Sequence, residues 1–263
     1  MTGGPDSGDP AASSSDAPLG PVTGNFQRRA GSYDAHTPVQ AAFAAWLAEW
    51  LPERETDAPC LELGAGTGHL TQFLLQRFRH VTASDAAPAM VAAGRHRLPR
   101  ANWQILDAWH PNLDAAGAGW SWLAASSLLQ LTPEPELTLL RWRELMGPDA
   151  RFLAGWFVPP TLAEIRELNP VSDLLQWRQT EDWLQLLTAT GWKVRRHEQR
   201  TLVRAYPSAL AFFRSLHRSG ATAPAARLDA GKMKRLLGDY EQRFGSADGV
   251  RATWSFLRVE AAA

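Results

Sequence analysis

Cys60-Leu61-Glu62-Leu63-Gly64-Ala65-Gly66-Thr67-Gly68 is an apolar run that breaks into three glycines at alternate positions. An amphipathic stretch, His69 to Phe78, follows it. That order predicts a strand, a glycine turn and a helix. Glycine is needed where the backbone must adopt positive φ or let a ligand come into contact. Such a turn offers backbone N–H groups and the start of a helix to whatever sits above the strand, which suits a carboxylate or a phosphate. If the ligand carries a ribose, an acid should follow about 20 residues later. Val81-Thr82-Ala83-Ser84-Asp85 supplies it, as a second strand ending in Asp85. The alternative is a tight turn with no ligand, and Asp85 at this offset weighs against it.

The alternation continues outward. Pro88 suits the first turn of a helix running to about Arg97, with Met90 and Val91 among its apolar residues. Trp103 to Leu106 reads as a third strand, ending in Asp107-Ala108-Trp109. Trp120 to Ala125 reads as a fourth, followed by Ser126, and Phe152 to Phe157 as a fifth. Between the last two, Pro133 opens a helix with Leu137, Leu140, Leu145 and Met146 inward, and Gly147-Pro148 stops it. Strands alternating with helices imply parallel pairing and a doubly wound α/β sheet. Ligands then bind beyond the carboxyl ends of the strands. Glu62, Asp85, Asp107 and Ser126 all fall at or near such ends, and their convergence weighs more than any one motif. Asp107 taken alone is equally a loop-capping aspartate.

On the flanks, Phe43, Trp46, Leu47, Trp50 and Leu51 form the apolar stripe of an early helix. Helices are expected at Thr161 to Leu168 and at Glu181 to Thr190, the second capped by Thr180 and ended by Gly191. Trp192 to Val203 reads as a strand. An insertion with a helix carrying Met233, Leu236, Leu237 and Tyr240 precedes a closing strand, Ala252 to Val259.

A chain of 263 residues that is 45% hydrophobic and 21% charged suits one large α/β domain. Residues 1–22, rich in Gly, Pro, Ser, Ala and Asp, read as a disordered tail, which leaves the domain at 23–263. No apolar run is long enough to span a bilayer, and the N-terminus lacks the pattern of a secretory signal. The single Cys60 allows no internal disulfide and no cysteine metal cluster. The expected compartment is the cytoplasm, and no metal is expected. The formal net charge is zero, whereas nucleic-acid binders carry a basic excess, so a nucleic-acid partner is disfavoured. Twelve tryptophans should be mostly core or cleft lining.

The glycine spacing separates two ligand classes. Dinucleotide folds use G-x-G-x-x-G and place a pyrophosphate on the helix. Here the spacing is G-x-G-x-G, with Glu62 two residues before the first glycine. The segment Leu61 to Gly68 resembles the first motif of class I S-adenosylmethionine (SAM) methyltransferases. The resemblance implies a Rossmann-like, mostly parallel seven-stranded sheet with a helical substrate lid, here at about 23–50 and 204–249. It implies SAM as methyl donor, with Glu62, Gly64, Ala65, Gly66 and Gly68 beside its methionine end and Asp85 on the ribose hydroxyls. Ala86 and Met90 complete that part of the site. Asp107 would accept from the adenine amino group, with Ala108 alongside, and Ser126 closes the set.

The flanks narrow the resemblance. Phe26 through Tyr33-Asp34, Ser127 to Gln130, Phe212 to Thr222 and Arg251-Ala252-Thr253-Trp254 together resemble the malonyl-acyl-carrier-protein O-methyltransferases of biotin synthesis. That family implies methyl transfer to the free carboxylate of a malonyl thioester, carried by an acyl carrier protein or coenzyme A. It implies Tyr33 and Arg178 as the hold on the carboxylate. From the residues alone, Tyr33 is equally a packed tyrosine with a bonded hydroxyl, and Arg178 a solvated arginine. Carrier proteins are acidic, and Arg204, Arg214, His217, Arg218, Arg227, Lys232, Lys234 and Arg235 make the insertion basic. The competing expectations are a SAM methyltransferase for another small acid, a non-catalytic binder of SAM or a carrier protein, and a nicotinamide-dependent oxidoreductase.

Overall fold

A computed structural model of the chain describes residues 21–112, 117–168, 178–219 and 230–263. The strands are β1 (Cys60–Leu63), β2 (Val81–Asp85), β3 (Asn102–Ile105), β4 (Trp120–Ser126), β5 (Met146–Phe157), β6 (Lys193–Tyr206), β7 (Gly245–Ser246) and β8 (Gly249–Ala262). They form one sheet in the order β3-β2-β1-β4-β5-β8-β6, with the two-residue β7 paired to β8. The first five strands pair in parallel, and β8 lies antiparallel between β5 and β6. This is the expected seven-stranded, mostly parallel sheet with a short hairpin added.

The central strand has all four residues buried, so its apolar run is the run of a strand covered on both faces. Glu62 pairs in register with Ala83 of β2 and Ala124 of β4. The chain leaves β1 toward β2 and β3, then returns on the other side through β4 and β5. The reversal opens a crevice between the carboxyl ends of β1 and β4, where such sheets take ligands.

One face of the sheet packs Leu139, Trp142, Trp183 and Leu187 from the helices Pro135–Glu144 and Thr180–Ala189. The other packs Ala44, Leu47, Leu74 and Val91 from the helices Pro38–Ala48, Thr71–Leu74 and Pro88–Arg97. Trp142, Trp156, Trp183 and Trp192 are fully buried, in keeping with a core role for the tryptophans.

A third cluster joins further helices to the sheet. Phe43 stacks on Phe256 of β8 with centroids 4.2 Å apart, and Phe212 packs on Tyr240 at 5.3 Å. These residues come from Pro38–Ala48 and from the helices Ala209–Arg218 and Ala230–Phe244. Ser208 caps the helix that begins at Ala209, its Oγ accepting from the Ala211 N–H at 3.1 Å. Arg258, 4% exposed, donates to Glu198, Glu49 and the Trp46 carbonyl, and its guanidinium lies 4.1 Å from the rings of both Trp46 and Trp50. It thereby ties the end of the Pro38–Ala48 helix to β8 and β6.

Several elements differ from the reading of the sequence. The helix expected over His69 to Phe78 contracts to Thr71–Leu74, and the residues on both sides close turns instead. The helix expected from Pro133 starts at Pro135 and turns a different face inward. Leu137 and Leu140 are 37% and 40% exposed, while Leu139, Trp142 and Leu145 are buried. Trp142 decides this register, since burying its large ring outweighs burying either leucine. Gly147-Pro148 lies inside β5, which starts at Met146 opposite Trp120. Residues 1–20 of the expected tail lie outside the described residues, whereas Pro21 and Val22 belong to a helix, Pro21–Arg29. Gly220 to Thr222 and Arg227 also lie outside the described residues.

Candidate active site

The glycine turn is strapped to the end of β2. Gly64, Gly66 and Gly68 have φ of 65°, 58° and 99°, a region that side chains with a Cβ rarely adopt. A Cβ on Gly64 would also sit 2.6 Å from Cδ2 of Leu128. The Gly66 N–H donates to Oδ2 of Asp85 at 2.9 Å, and the Ala87 N–H donates to Oδ1 at the same distance. Asp85 therefore holds the turn in shape while lying at the wall of the crevice. Burial pushes its carboxyl above the ordinary aspartate range, and the two N–H donors pull it back.

Glu62 lies beneath the turn, 1% exposed, and accepts from Oγ1 of Thr71 at 2.6 Å. Burial raises its pKa to about 8, with the Thr71 hydrogen bond opposing and the Asp85 charge adding. In the unfolded chain it titrates near the ordinary glutamate value of about 4.3. Between those values the native state holds a proton that the unfolded state has lost, so stability falls as pH rises through that window. Glu62→Gln should flatten the fall in melting temperature between pH 5 and pH 8. An unchanged slope would place the proton elsewhere.

Above the turn lies a cleft of about 640 Å³, including its open mouth. Tyr33, Gly64, Gly66, Asp85, Ala86, Met90, Asp107, Ala108 and Ser126, all singled out in the sequence, line it. Ala65, Gly68 and Glu62 are not on its wall and support it from behind. Asp107 combines both readings of its sequence position. It faces the cleft, and its Oδ1 accepts from the Trp109 N–H at 2.9 Å, with His110 Nδ1 3.2 Å from Oδ2. Thr23, Phe26, Trp109, Ser127, Leu128 and Leu131 also line the cleft. Of these, Trp109 adjoins the expected Asp107-Ala108 pair, and Phe26 and Ser127 stand in the flanking segments. Leu128 stands in the same segment as Ser127, and Thr23 and Leu131 carry no chemical signal of their own.

A second cleft of about 540 Å³ adjoins the first. The two share Phe26, Tyr33, Ser127 and Leu131. Phe157, Leu162, Leu216 and Trp254 make the second mostly apolar, with Gln40, Gln130, Thr161 and Ser219 as its further polar residues. Ser127 at the junction has φ 57°, held by its N–H donating to the Gly155 carbonyl at 2.7 Å and by its own carbonyl accepting from Gln130 at 2.7 Å. Such strain in a non-glycine residue recurs at functional sites.

Tyr33 stands between the chambers. Its ring packs edge-on to Phe26 at 6.0 Å and tilted on His69 at 5.8 Å. Its neighbour Asp34 accepts from Oγ1 of Thr67 in the glycine turn and lies 3.4 Å from Arg97, which fixes the Tyr33–His36 segment to the turn. Burial, then the charges of Asp85 and Asp34, push the phenol well above its ordinary pKa, so it stays protonated. Arg178 lines neither chamber. It lies just before the Thr180–Ala189 helix, with its Nε buried and without a partner among the described residues. Among those residues no group of three or more His, Cys, Asp or Glu could hold a metal ion, and no helix is long and apolar enough to cross a membrane.

The crevice fits SAM by its donor set: an acid for a diol, positive-φ glycines that let a ligand approach the backbone, and apolar Ala86, Met90 and Leu128 for a flat ring. Known proteins agree. Residues 61–152 match the methyltransferase domain family. A malonyl-[acyl-carrier protein] O-methyltransferase of Paenibacillus sp. (strain JDR-2) is 28% identical over 88% of this chain and 94% of its own. One of the same name from Anoxybacillus flavithermus is 26% identical over 89% and 94%. Among solved structures, the YcgJ protein of Bacillus subtilis superposes with a TM-score of 0.62 at 13% identity, over 83% of this chain and 97% of that one. The domain match, the strand order and the whole-length similarity agree: the chain carries a methyltransferase domain on a Rossmann-like sheet, and over its length it is similar to the malonyl-[acyl-carrier protein] O-methyltransferases.

Proposed function

We propose that the protein methylates the free carboxylate of a malonyl thioester, presented on an acyl carrier protein or coenzyme A, as a step of biotin synthesis. The observation that carries this reading is Tyr33, which lines both chambers while its hydroxyl makes no hydrogen bond to a described residue. Whole-length similarity to enzymes named for this reaction supports the choice of acceptor.

When bound, SAM supplies a methyl group on a sulfonium; a carboxylate oxygen forms the new O–CH3 bond as the S–CH3 bond breaks, leaving a neutral thioether. The acceptor is ionised at pH 7, so the protein has no proton to remove. Its work is to hold two partners in line, and alignment alone can supply several kcal/mol. Asp85, Asp107 and the glycine turn fix the donor side. Tyr33 donates to a carboxylate oxygen at the junction. Arg178, which the resemblance implies as a second hold, lines neither chamber, so Tyr33 alone is proposed to hold the carboxylate. The apolar second chamber receives the rest of the acceptor and excludes water, which favours a reaction that cancels two opposite charges. The basic insertion is proposed to meet the acidic carrier, with electrostatics aiding encounter.

The test is methyl transfer from labelled SAM to malonyl-acyl carrier protein, with malonyl-coenzyme A and free malonate alongside. A methyl ester should form fastest on the carrier-bound group and slowest on free malonate. Ester formation on none of the three, with SAM still bound, would discard this acceptor.

A further inference from the structure

Two helices that wall the second chamber meet at a contact which methyl transfer itself does not use. Phe26 from Pro21–Arg29 and Leu216 from Ala209–Arg218 both line the chamber. One turn after Phe26, Arg29 brings Nη2 to 2.9 Å from Nε2 of His217, the residue next to Leu216. A guanidinium has no acceptor atom, so Nε2 accepts and the imidazole is neutral in this contact. Arg28 adjoins Arg29, and Arg218 adjoins His217. Among the described residues, none of these four groups has a carboxylate partner. Burial and the Arg28 charge depress the Arg29 pKa, while burial and the Arg29 charge depress that of His217. Among the described residues, the seam between these two helices thus holds the Arg29–His217 pair with no carboxylate to balance it, at the outer edge of the chamber proposed for the acceptor.

We propose that this seam, with Arg29 and His217 at its centre, binds the phosphate of the phosphopantetheine arm on which the acyl group is carried. The proposal rests on the functional reading above and adds to it a site for the part of the acceptor distant from the reacting carboxylate. The planar fork of Arg29 matches two phosphate oxygens, and the imidazole N–H offers a further donor. A phosphate held there leaves the arm to pass between Phe26 and Leu216 toward Tyr33. Bridging both helices, the anion also closes the lid over the acceptor. Carrier protein and coenzyme A share this phosphate ester, so both are served.

The test is calorimetric titration of the full chain, saturated with S-adenosylhomocysteine, by 4′-phosphopantetheine and by pantetheine. The phosphorylated form should bind about tenfold more tightly, as charge-assisted hydrogen bonds of this kind provide. Arg29→Gln should reduce that preference to about twofold or less, and His217→Gln should lower it in part. Arg54→Gln, which removes an equal charge elsewhere on the surface, should leave it intact. Thermal melting of each variant checks that it is folded, and Arg29→Lys should keep a reduced preference if Arg29→Gln is not. No preference in the wild type, or a preference that survives both Arg29→Gln and His217→Gln, overturns the proposal. The titration involves no methyl transfer. A phosphate preference without methylation of any malonyl thioester would therefore remove the functional reading and leave the phosphate site standing.

Discussion

Asp85→Ala should weaken SAM binding by about 100-fold or more, the equivalent of roughly 2.7 kcal/mol. Three bonds are lost together. The Gly66 and Ala87 N–H groups each lose an acceptor at 2.9 Å, and the ribose loses its carboxylate. Hydrogen bonds to a charged group contribute roughly 1.5–3 kcal/mol each, and a donor left unpaired adds its own desolvation penalty. The loss is not confined to ligand contact, because Gly66 is held at positive φ partly by this carboxylate. The melting temperature without ligand should therefore fall as well. Asp85→Asn should lie between, since an amide keeps one acceptor oxygen but turns an NH2 toward the other donor. Isothermal titration with SAM reads the effect. An affinity within about threefold of wild type would mean that the ribose is held elsewhere.

Tyr33→Phe should lower kcat for the malonyl thioester by about 10- to 100-fold while leaving the dissociation constant of SAM nearly unchanged. Phenylalanine keeps the ring against Phe26 and His69, so only the hydroxyl is removed. That hydroxyl sits where the chambers join and is kept protonated by burial and by Asp85 and Asp34. A donor that never ionises in the working range predicts a wild-type rate with no titration of Tyr33 between pH 6 and pH 9. Steady-state kinetics with separate SAM titration checks both parts. A lower SAM affinity with unchanged kcat would assign Tyr33 to the donor side instead.

The legible and illegible parts of this chain divide along a physical line. The glycine turn and Asp85 lie within 25 residues of sequence, where glycine φ, a buried strand and an acid at a fixed offset are local properties. Gly64, Gly66, Asp85, Asp107 and Ser126 follow from the glycine turn and the strand ends, Ala86, Met90 and Ala108 from the resemblance, and all line the first cleft. The second chamber is built from Phe26, Gln40, Ser127, Phe157, Leu216 and Trp254, which only the tertiary fold brings together. Phe26, Ser127, Leu216 and Trp254 stand in the flanking segments that carry the narrower resemblance, but no period or spacing joins those segments to one another or to Gln40 and Phe157. The helix face containing Trp142 is not legible in the sequence because alternative leucines fit the same 3.6-residue period, and ring volume chooses between them. The helix after the glycine turn was read too long because its amphipathic spacing persists through turns that bury Leu70, Leu74 and Phe78 equally well. The insertion of β8 between β5 and β6 follows from long-range pairing, which no local period encodes. Arg178 follows from the resemblance alone, and it lines neither chamber.

The most direct test of the account is a crystal structure with S-adenosylhomocysteine and a malonyl thioester bound together. The ribose should lie on Asp85 and the sulfur should face the Tyr33 junction. The free carboxylate should sit across that junction in the second chamber, in line with the sulfur and within hydrogen-bond reach of the Tyr33 hydroxyl. A carboxylate bound outside the second chamber, or a donor sulfur turned away from Tyr33, would contradict it.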